Sequence, residues 1–373
     1  MKVLVLTKRQ YMGKDLLDDR FGRFRELPAE LANLGHEVRG VTLSYRRRND
    51  TTVLDSARPG GPSVMWESFD LTSRAGAGAA MFIRRSVEII GHFEPDVIWA
   101  GSDAFLAVLG AWLARRRRLR SVIDLYDNFE AFGASRLPLI VPLFRRAVRS
   151  ADGVTCFSRR LAAHITRDYR RLKPTVVIEN GVRTELFRPL DRRECRLRLG
   201  LPETATIVGT AGALDRSRGI ETLFSAFELL AAERSDLWLA LAGPIGRGVS
   251  LPDHPRVRYL GNLPHHQVPD FVNALDLSVV CYRHSSQGEY SFPQKAYEIL
   301  ACRVPIVAAA VGTMIELLER HPDHLYEAEN PSSLAAAVTR QLRERQVLDL
   351  PVPSWRDSAA ELERFLLRLS RNS

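Results

Sequence analysis

The sequence holds no long apolar run. Its longest, Ala104 to Ala114, falls well short of the ~20 residues a membrane helix needs. The opening stretch Met1–Thr7 is interrupted by Lys8 and Arg9 too soon for a signal peptide. Cysteine is scarce and scattered. Cys156, Cys195, Cys281 and Cys302 form no CxxC pair, and no His stands at zinc-finger spacing. That argues against a disulfide framework or a zinc module and for reduced thiols buried as small hydrophobes, as in a cytosolic chain. Lysine is scarcer still: the 53 basic residues divide into 48 Arg and 5 Lys. No GxGxxG follows the first apolar run and no GxxxxGK[ST] occurs anywhere, which excludes a dinucleotide wrapped on the first helix and a P-loop ATPase.

What is present is alternation. Short β-branched runs (Lys2–Thr7, Glu37–Leu43, Asp96–Ala100, Ser121–Leu125, Gly153–Phe157, Thr175–Ile178) alternate with helical patterns such as Arg20–Leu34, Ala79–Phe93 and Leu139–Ser150. A second series starts at Thr206–Ala211 and continues through Leu237–Ala242, Arg256–Leu260, Leu277–Cys281 and Pro305–Ala309. Its helices include one over Phe292–Cys302, and an amphipathic helix from Trp355 closes the chain. Alternation of this kind predicts α/β architecture with parallel sheets. We expect two Rossmann-like domains, over residues 1–186 and 187–354, facing a cleft that would take the ligand. Residues 355–373 would cross back onto the first domain.

The net charge of +9 carries little weight, because the skew toward Arg reads as coding bias. The clusters Arg46–Arg48, Arg115–Arg118 and the stretch Leu137 to Arg149 leave two readings open. One is a solvated face with Arg closing helix ends; the other is peripheral contact with an anionic membrane. Nucleic acid is not expected, since no aromatics interleave with the basic runs.

Three of the five lysines fall in the first fourteen residues, in and beside a basic loop that contains Gly13. A Lys retained in an Arg-rich chain suggests a need for a compact ammonium, with chance placement the alternative. The segment Ser291-Phe292-Pro293-Gln294-Lys295-Ala296-Tyr297-Glu298 says more. Pro293 marks a helix start and Ser291 a cap. Lys295 then sits in the first turn, where its charge opposes the helix dipole unless an anion is bound there. Glu298, three residues on, shares its face. An ammonium for phosphate beside a carboxylate for two hydroxyls suits a nucleoside diphosphate; an ordinary Lys–Glu surface pair is the other reading.

The run from Phe292 to Ala308 resembles the donor signature FPxKxxEYLAxGxPVVA of retaining GT-B glycosyltransferases of family four (group 1). Further stretches resemble the family in order: Leu31–Val38, Ala151–Ser158, Glu179–Val182 with Phe187–Pro189, Gly212–Gly219 against GRLxxxKG, and Trp355. The resemblance implies a nucleoside-diphosphate-sugar donor and a glycan or lipid-linked hydroxyl acceptor, in polysaccharide or lipopolysaccharide assembly. It implies retention at the anomeric carbon. No metal or cofactor is expected, because no Asp-x-Asp lies near this segment and its basic groups can do a metal's work; the expected location is the cytoplasm or the inner face of the cytoplasmic membrane. It places Arg218 and Lys295 on the donor pyrophosphate and Glu298 on the ribose, with Phe292 and Ser291 in the same segment. Tyr290 occupies the family's first glutamate, so Glu289 is the candidate to meet the sugar. Ala213 replaces an arginine that Arg216 would supply, and Gly13 stands in for a Gly-Gly pair. Asp127 carries over from an acceptor-side His-Asp pair, with Tyr126 in the His position; capping the next helix is its other reading.

Overall fold

The computed structural model describes residues 1–11, 14–48, 50–72, 77–131, 138–290 and 292–371. They form two compact units, residues 1–181 with 355–373 and residues 182–354.

The first unit opens with β1 (Lys2–Lys8), the short pair β2 (Gln10–Tyr11) and β3 (Lys14–Asp15), α1 (Arg23–Asn33) and β4 (Glu37–Ser44). Next come β5 (Thr51–Ser56), β6 (Ser63–Asp70), α2 (Gly78–Phe93), β7 (Val97–Gly101) and α3 (Ala104–Arg117). β8 (Arg120–Leu125), α4 (Ile140–Ser150), β9 (Gly153–Cys156), α5 (Arg159–Asp168) and β10 (Thr175–Val177) complete the alternation. The sheet order is β10-β9-β8-β7-β1-β4-β6-β5, parallel throughout except for the β5–β6 pair. Its central strands are unbroken apolar runs, Val3–Leu6 and Val97–Ala100, because helices cover both faces.

Two differences from the sequence expectation have identifiable physical causes. α1 begins at Arg23 rather than Arg20, since Arg20 (φ 50) and Gly22 (φ 101) hold non-helical backbone. β5 and β6 occupy a stretch where no strand was expected. β6 is secured by Trp66, fully buried over Gly40, where a Cβ would come within 2.1 Å of its ring.

The second unit runs α6 (Arg192–Leu199), β11 (Thr206–Ala211), α7 (Ile220–Glu233), β12 (Leu237–Ala242), β13 (Val257–Tyr259) and α8 (Val268–Ala274). It continues with β14 (Leu277–Val280), α9 (Ser286–Tyr290), α10 (Gln294–Ala301), β15 (Ile306–Ala309), α11 (Thr313–Leu317), β16 (Leu325–Tyr326) and α12 (Pro331–Glu344). All six strands are parallel, in the order β13-β12-β11-β14-β15-β16, the doubly wound arrangement. The last helix, α13 (Trp355–Arg371), packs in the first unit. Glu363 Oε1 lies 2.8 Å from His36 Nε2, and a Cβ on Gly153 would meet Phe365 at 2.7 Å.

In each unit the strand order reverses beside the first strand, between β1 and β7 and between β11 and β14. Ligands of such sheets bind at the carboxyl ends of those strands. The four cysteines are free and buried. Among the described residues no helix is long and apolar enough to cross a membrane.

Candidate active site

In the second unit, the carboxyl end of β11 leads into Gly212, held at φ +111, and that of β12 into Gly243, held at φ +123. A Cβ on Gly243 would overlap the Gly212 carbonyl oxygen at 2.1 Å, and one on Gly212 would stand 3.3 Å from Lys295 Nζ. The two glycines therefore bring the backbone close under the Lys295 ammonium. Lys295 is the second residue of α10, whose start differs from the sequence reading: Pro293 (φ −82, ψ 64) stands just outside the helix. Phe292 is buried and stacks on Tyr297, with ring centroids 5.0 Å apart, which fixes the entry to the helix. Ser291 and Gly13 lie outside the described residues.

Burial brings the Lys295 ammonium down to about 8; Arg218 pushes the same way, while Cys281 and Glu298 oppose it. Burial raises Glu298 to about 7, opposed by a hydrogen bond with Gln294 and by Lys295. Both side chains keep a partly accessible surface, so the site opens to solvent on one side. Among the described residues no ion pair forms on Lys295 or on its neighbour Arg218, although the chain is rich in such pairs elsewhere. Two cations without ion pairs, side by side at a glycine turn and a helix N-terminus, make a place where an anion would be favoured.

The remaining donor-side residues lie at the same strand ends but are engaged differently. Arg216, on the turn before α7, pairs with Glu221 at 2.8 Å. Glu289 lies on α9, its carboxylate 3.5 Å from His284 Nδ1. Gly312 clamps the backbone of that helix, since a Cβ there would meet Glu289 O at 2.7 Å and Gly288 O at 2.5 Å.

In the first unit, Lys8 ends β1. Its backbone N–H donates to Ser102 Oγ at 2.7 Å, and Thr7 Oγ1 contacts the same hydroxyl at 2.7 Å. Tyr126 donates its OH to Ser102 O at 2.9 Å. Burial lowers the Lys8 ammonium from its ordinary value, and Asp103 and Asp127 oppose that. Asp127 accepts from the Asn128 N–H at 2.8 Å. Asp103 caps α3 by accepting from the Leu106 N–H, and its second oxygen accepts from Tyr45 OH at 2.7 Å. Thr7, Lys8, Ser102, Tyr126 and Arg23 line one small cavity here.

Asp103 and Tyr45 are members of this group that the sequence reading missed. Asp103 directly after a strand and before a helical run was the available signal. Asp124, by contrast, is structural: its carboxylate is fully buried between the Arg23 guanidinium (3.0 Å) and Thr155 Oγ1 (2.6 Å).

Residues 23–181 match the glycosyl transferase 4-like domain family and residues 205–344 match glycosyl transferases group 1. TuaC of Bacillus subtilis, named for teichuronic acid biosynthesis, is 30% identical over 54% of this chain and 50% of its own length. D-inositol 3-phosphate glycosyltransferase 1 of Catenulispora acidiphila is 35% identical over 60% of each chain. The chain thus spans half to three-fifths of the length of these relatives. The crystal structure of Anabaena HepE with UDP-glucose superposes at a TM-score of 0.66, covering 100% of this chain and 98% of that one at 20% identity. On the two family matches and the doubly wound sheets of both units, the chain belongs to the group 1 glycosyltransferases of the GT-B type.

Proposed function

We propose that the protein transfers a glycosyl group from a nucleoside diphosphate sugar to a hydroxyl of a glycan or lipid-linked acceptor, with retention at the anomeric carbon. The observation that carries this is the Lys295–Arg218 pair, two neighbouring cations of which neither forms an ion pair among the described residues, with Glu298 the carboxylate that partly offsets Lys295. A donor diphosphate supplies the missing charge, with Arg216 as an outer contact. Glu298 receives the ribose hydroxyls and Glu289 the hydroxyls of the transferred sugar. UDP, the nucleotide bound in the HepE structures, is the first to test.

In the reaction the bond between the anomeric carbon and the β-phosphate oxygen breaks. The bond to the acceptor oxygen forms on the same face, and the acceptor proton passes to the departing phosphate. Lys295, Arg218 and the N-terminus of α10 stabilise charge growing on that phosphate, the role a metal ion would otherwise fill. Asp127 and Lys8 orient acceptor hydroxyls. Assembly of a bacterial surface polysaccharide is the setting, at the cytoplasmic side of the membrane.

Thermal shift against a panel of nucleoside diphosphates comes first, because a specific ligand raises stability as RT ln(1 + [L]/Kd). The preferred donor is then assayed with EDTA present, with and without acceptor. Transfer that depends on the acceptor and survives EDTA supports the reading. Conversion of donor alone points to an epimerase, and donor binding without turnover to a binding subunit.

A further inference from the structure

We propose that the first unit docks on an anionic bilayer through the outer face of α4 together with the turn at residues 170–173. This deepens the lipid-linked reading of the acceptor and rests on it for the lipid's role in transfer; the surface itself does not involve the donor site.

α4 divides its side chains cleanly. Ile140, Phe144, Ala147 and Val148 are buried, with Phe144 packed between the rings of Phe129 and Tyr169. On the outer face Leu139 is 73% and Leu143 47% exposed, and Pro142 is exposed between them. Arg146 and Arg149 follow on the same face, one and two turns on. Arg145 is not part of this face: it forms two bonds of 2.7 Å to Glu130 and lies over the Tyr169 ring. Arg146 and Arg149 have no carboxylate partner among the described residues.

The second element is fastened to the end of that helix. The buried Arg171 guanidinium donates to the carbonyls of Val148, Ala151 (3.0 Å) and Pro174 (2.9 Å), and Lys173 Nζ donates to Ser150 O at 2.7 Å. Leu172 is thereby held with 99% of its surface in water, between exposed Arg170 and Lys173. Arg170 too has no carboxylate partner among the described residues, while Lys173 is 3.5 Å from Asp152. A fully exposed leucine on a rigid turn gains nothing from folding.

Leucines at both ends of a strip, with unpaired guanidinium groups between, match the boundary of an anionic membrane. The leucines reach the acyl region and the cations stay among the lipid phosphates. A second copy of this chain would set like charges against each other, and a nucleic acid would leave the leucines in water. Asp127 lies just past β8, two residues before Phe129, whose ring packs on Phe144 of α4, so a bilayer-held acceptor would arrive near that carboxylate.

The test is flotation of the full chain with phosphatidylcholine vesicles, with and without phosphatidylglycerol. Binding is expected only with phosphatidylglycerol and is expected to weaken with salt. The double variant Arg146→Glu/Arg149→Glu should lose about tenfold or more in affinity. Leu143→Ser/Leu172→Ser should lose less, with the salt dependence kept. Absence of binding to phosphatidylglycerol vesicles, or wild-type binding by both double variants, overturns the proposal. So does a dimer in light scattering that these substitutions dissociate, since the strip would then cover a second copy. Both variants alter only exposed side chains and should keep the wild-type melting temperature. Transfer to a water-soluble acceptor, expected at the wild-type rate in both, tests the proposed function separately.

Discussion

Two lysines stand at the strand ends of the two units, one where each sheet reverses order, and their surroundings are opposite. Lys8 is faced by Asp103 and Asp127, which offset part of what burial takes away. Lys295 is faced by Arg218, which adds to the effect of burial. The same doubly wound topology thus presents an ammonium flanked by two carboxylates in one unit and, in the other, one that shares a single carboxylate, Glu298, with a second cation beside it. The first suits neutral hydroxyls and the second a diphosphate. Lys295→Ala should therefore lower kcat/KM by about 10²- to 10³-fold, as loss of a donor aimed at developing charge does. The same variant should abolish the thermal shift given by nucleoside diphosphate, whereas Lys8→Met should retain it. Equal losses of nucleotide binding from both variants would erase the distinction.

The compensated side is probed by its carboxylate. Asp127→Asn keeps the shape and removes the charge that faces Lys8. It should raise the acceptor KM about tenfold, the scale of a lost hydrogen bond to a charged group. Calorimetric affinity for the nucleoside diphosphate should be unaltered. A fall in nucleotide affinity instead would mean that Asp127 serves the donor.

The contrast also has a pH signature. Lys295 sits at about 8, so above that pH the free enzyme loses the cation that a diphosphate needs. Bound phosphate favours the charged form and raises this value, so affinity should fall about tenfold per pH unit above 8. Glu298, raised to about 7, gains a proton below that pH; in its proposed place at the ribose it would then accept from only part of the diol. Nucleotide affinity should therefore peak between those values. Lys295→Arg should remove the upper limb, and Glu298→Gln should flatten the lower one. A flat profile in the wild type would refute both assignments.

Much of this arrangement was legible in the chain, for reasons that differ by residue. The parallel strands were visible because burial on both faces leaves unbroken apolar runs such as Val3–Leu6. Lys295 and Glu298 were visible because their juxtaposition is local, set by one helical turn. β6 was not, because its pairing depends on the hole that Gly40 leaves for Trp66, a long-range fit. α6 was hidden for another reason: five of the eight residues of its run Arg192–Leu199 are charged. The contact of Tyr45 with Asp103 joins residues 58 apart, and no local pattern announces it. Arginine was the most misleading residue. Read as coding bias on a solvated surface, it also supplies buried anchors, with Arg23 on Asp124 and Arg196 on Asp276 and the Ala274 carbonyl.

Arg216 offers the smallest and finest test. The resemblance gives it the charge missing at Ala213, yet its guanidinium pairs with Glu221, and both side chains are more than half exposed. Exposed pairs of this kind contribute about 0.2–1 kcal/mol, so the arginine can leave its partner at little expense. An outer contact to a diphosphate through solvent is similarly weak, and Arg216→Ala should reduce kcat/KM only about threefold. Glu221→Ala makes the question sharper, because it frees Arg216 without removing it. If Arg216 reaches the donor, that substitution should tighten nucleoside diphosphate binding, and the gain should vanish in the double variant. If Glu221→Ala leaves affinity unchanged, Arg216 belongs to the turn before α7, and the positive charge of the site rests on Lys295 and Arg218.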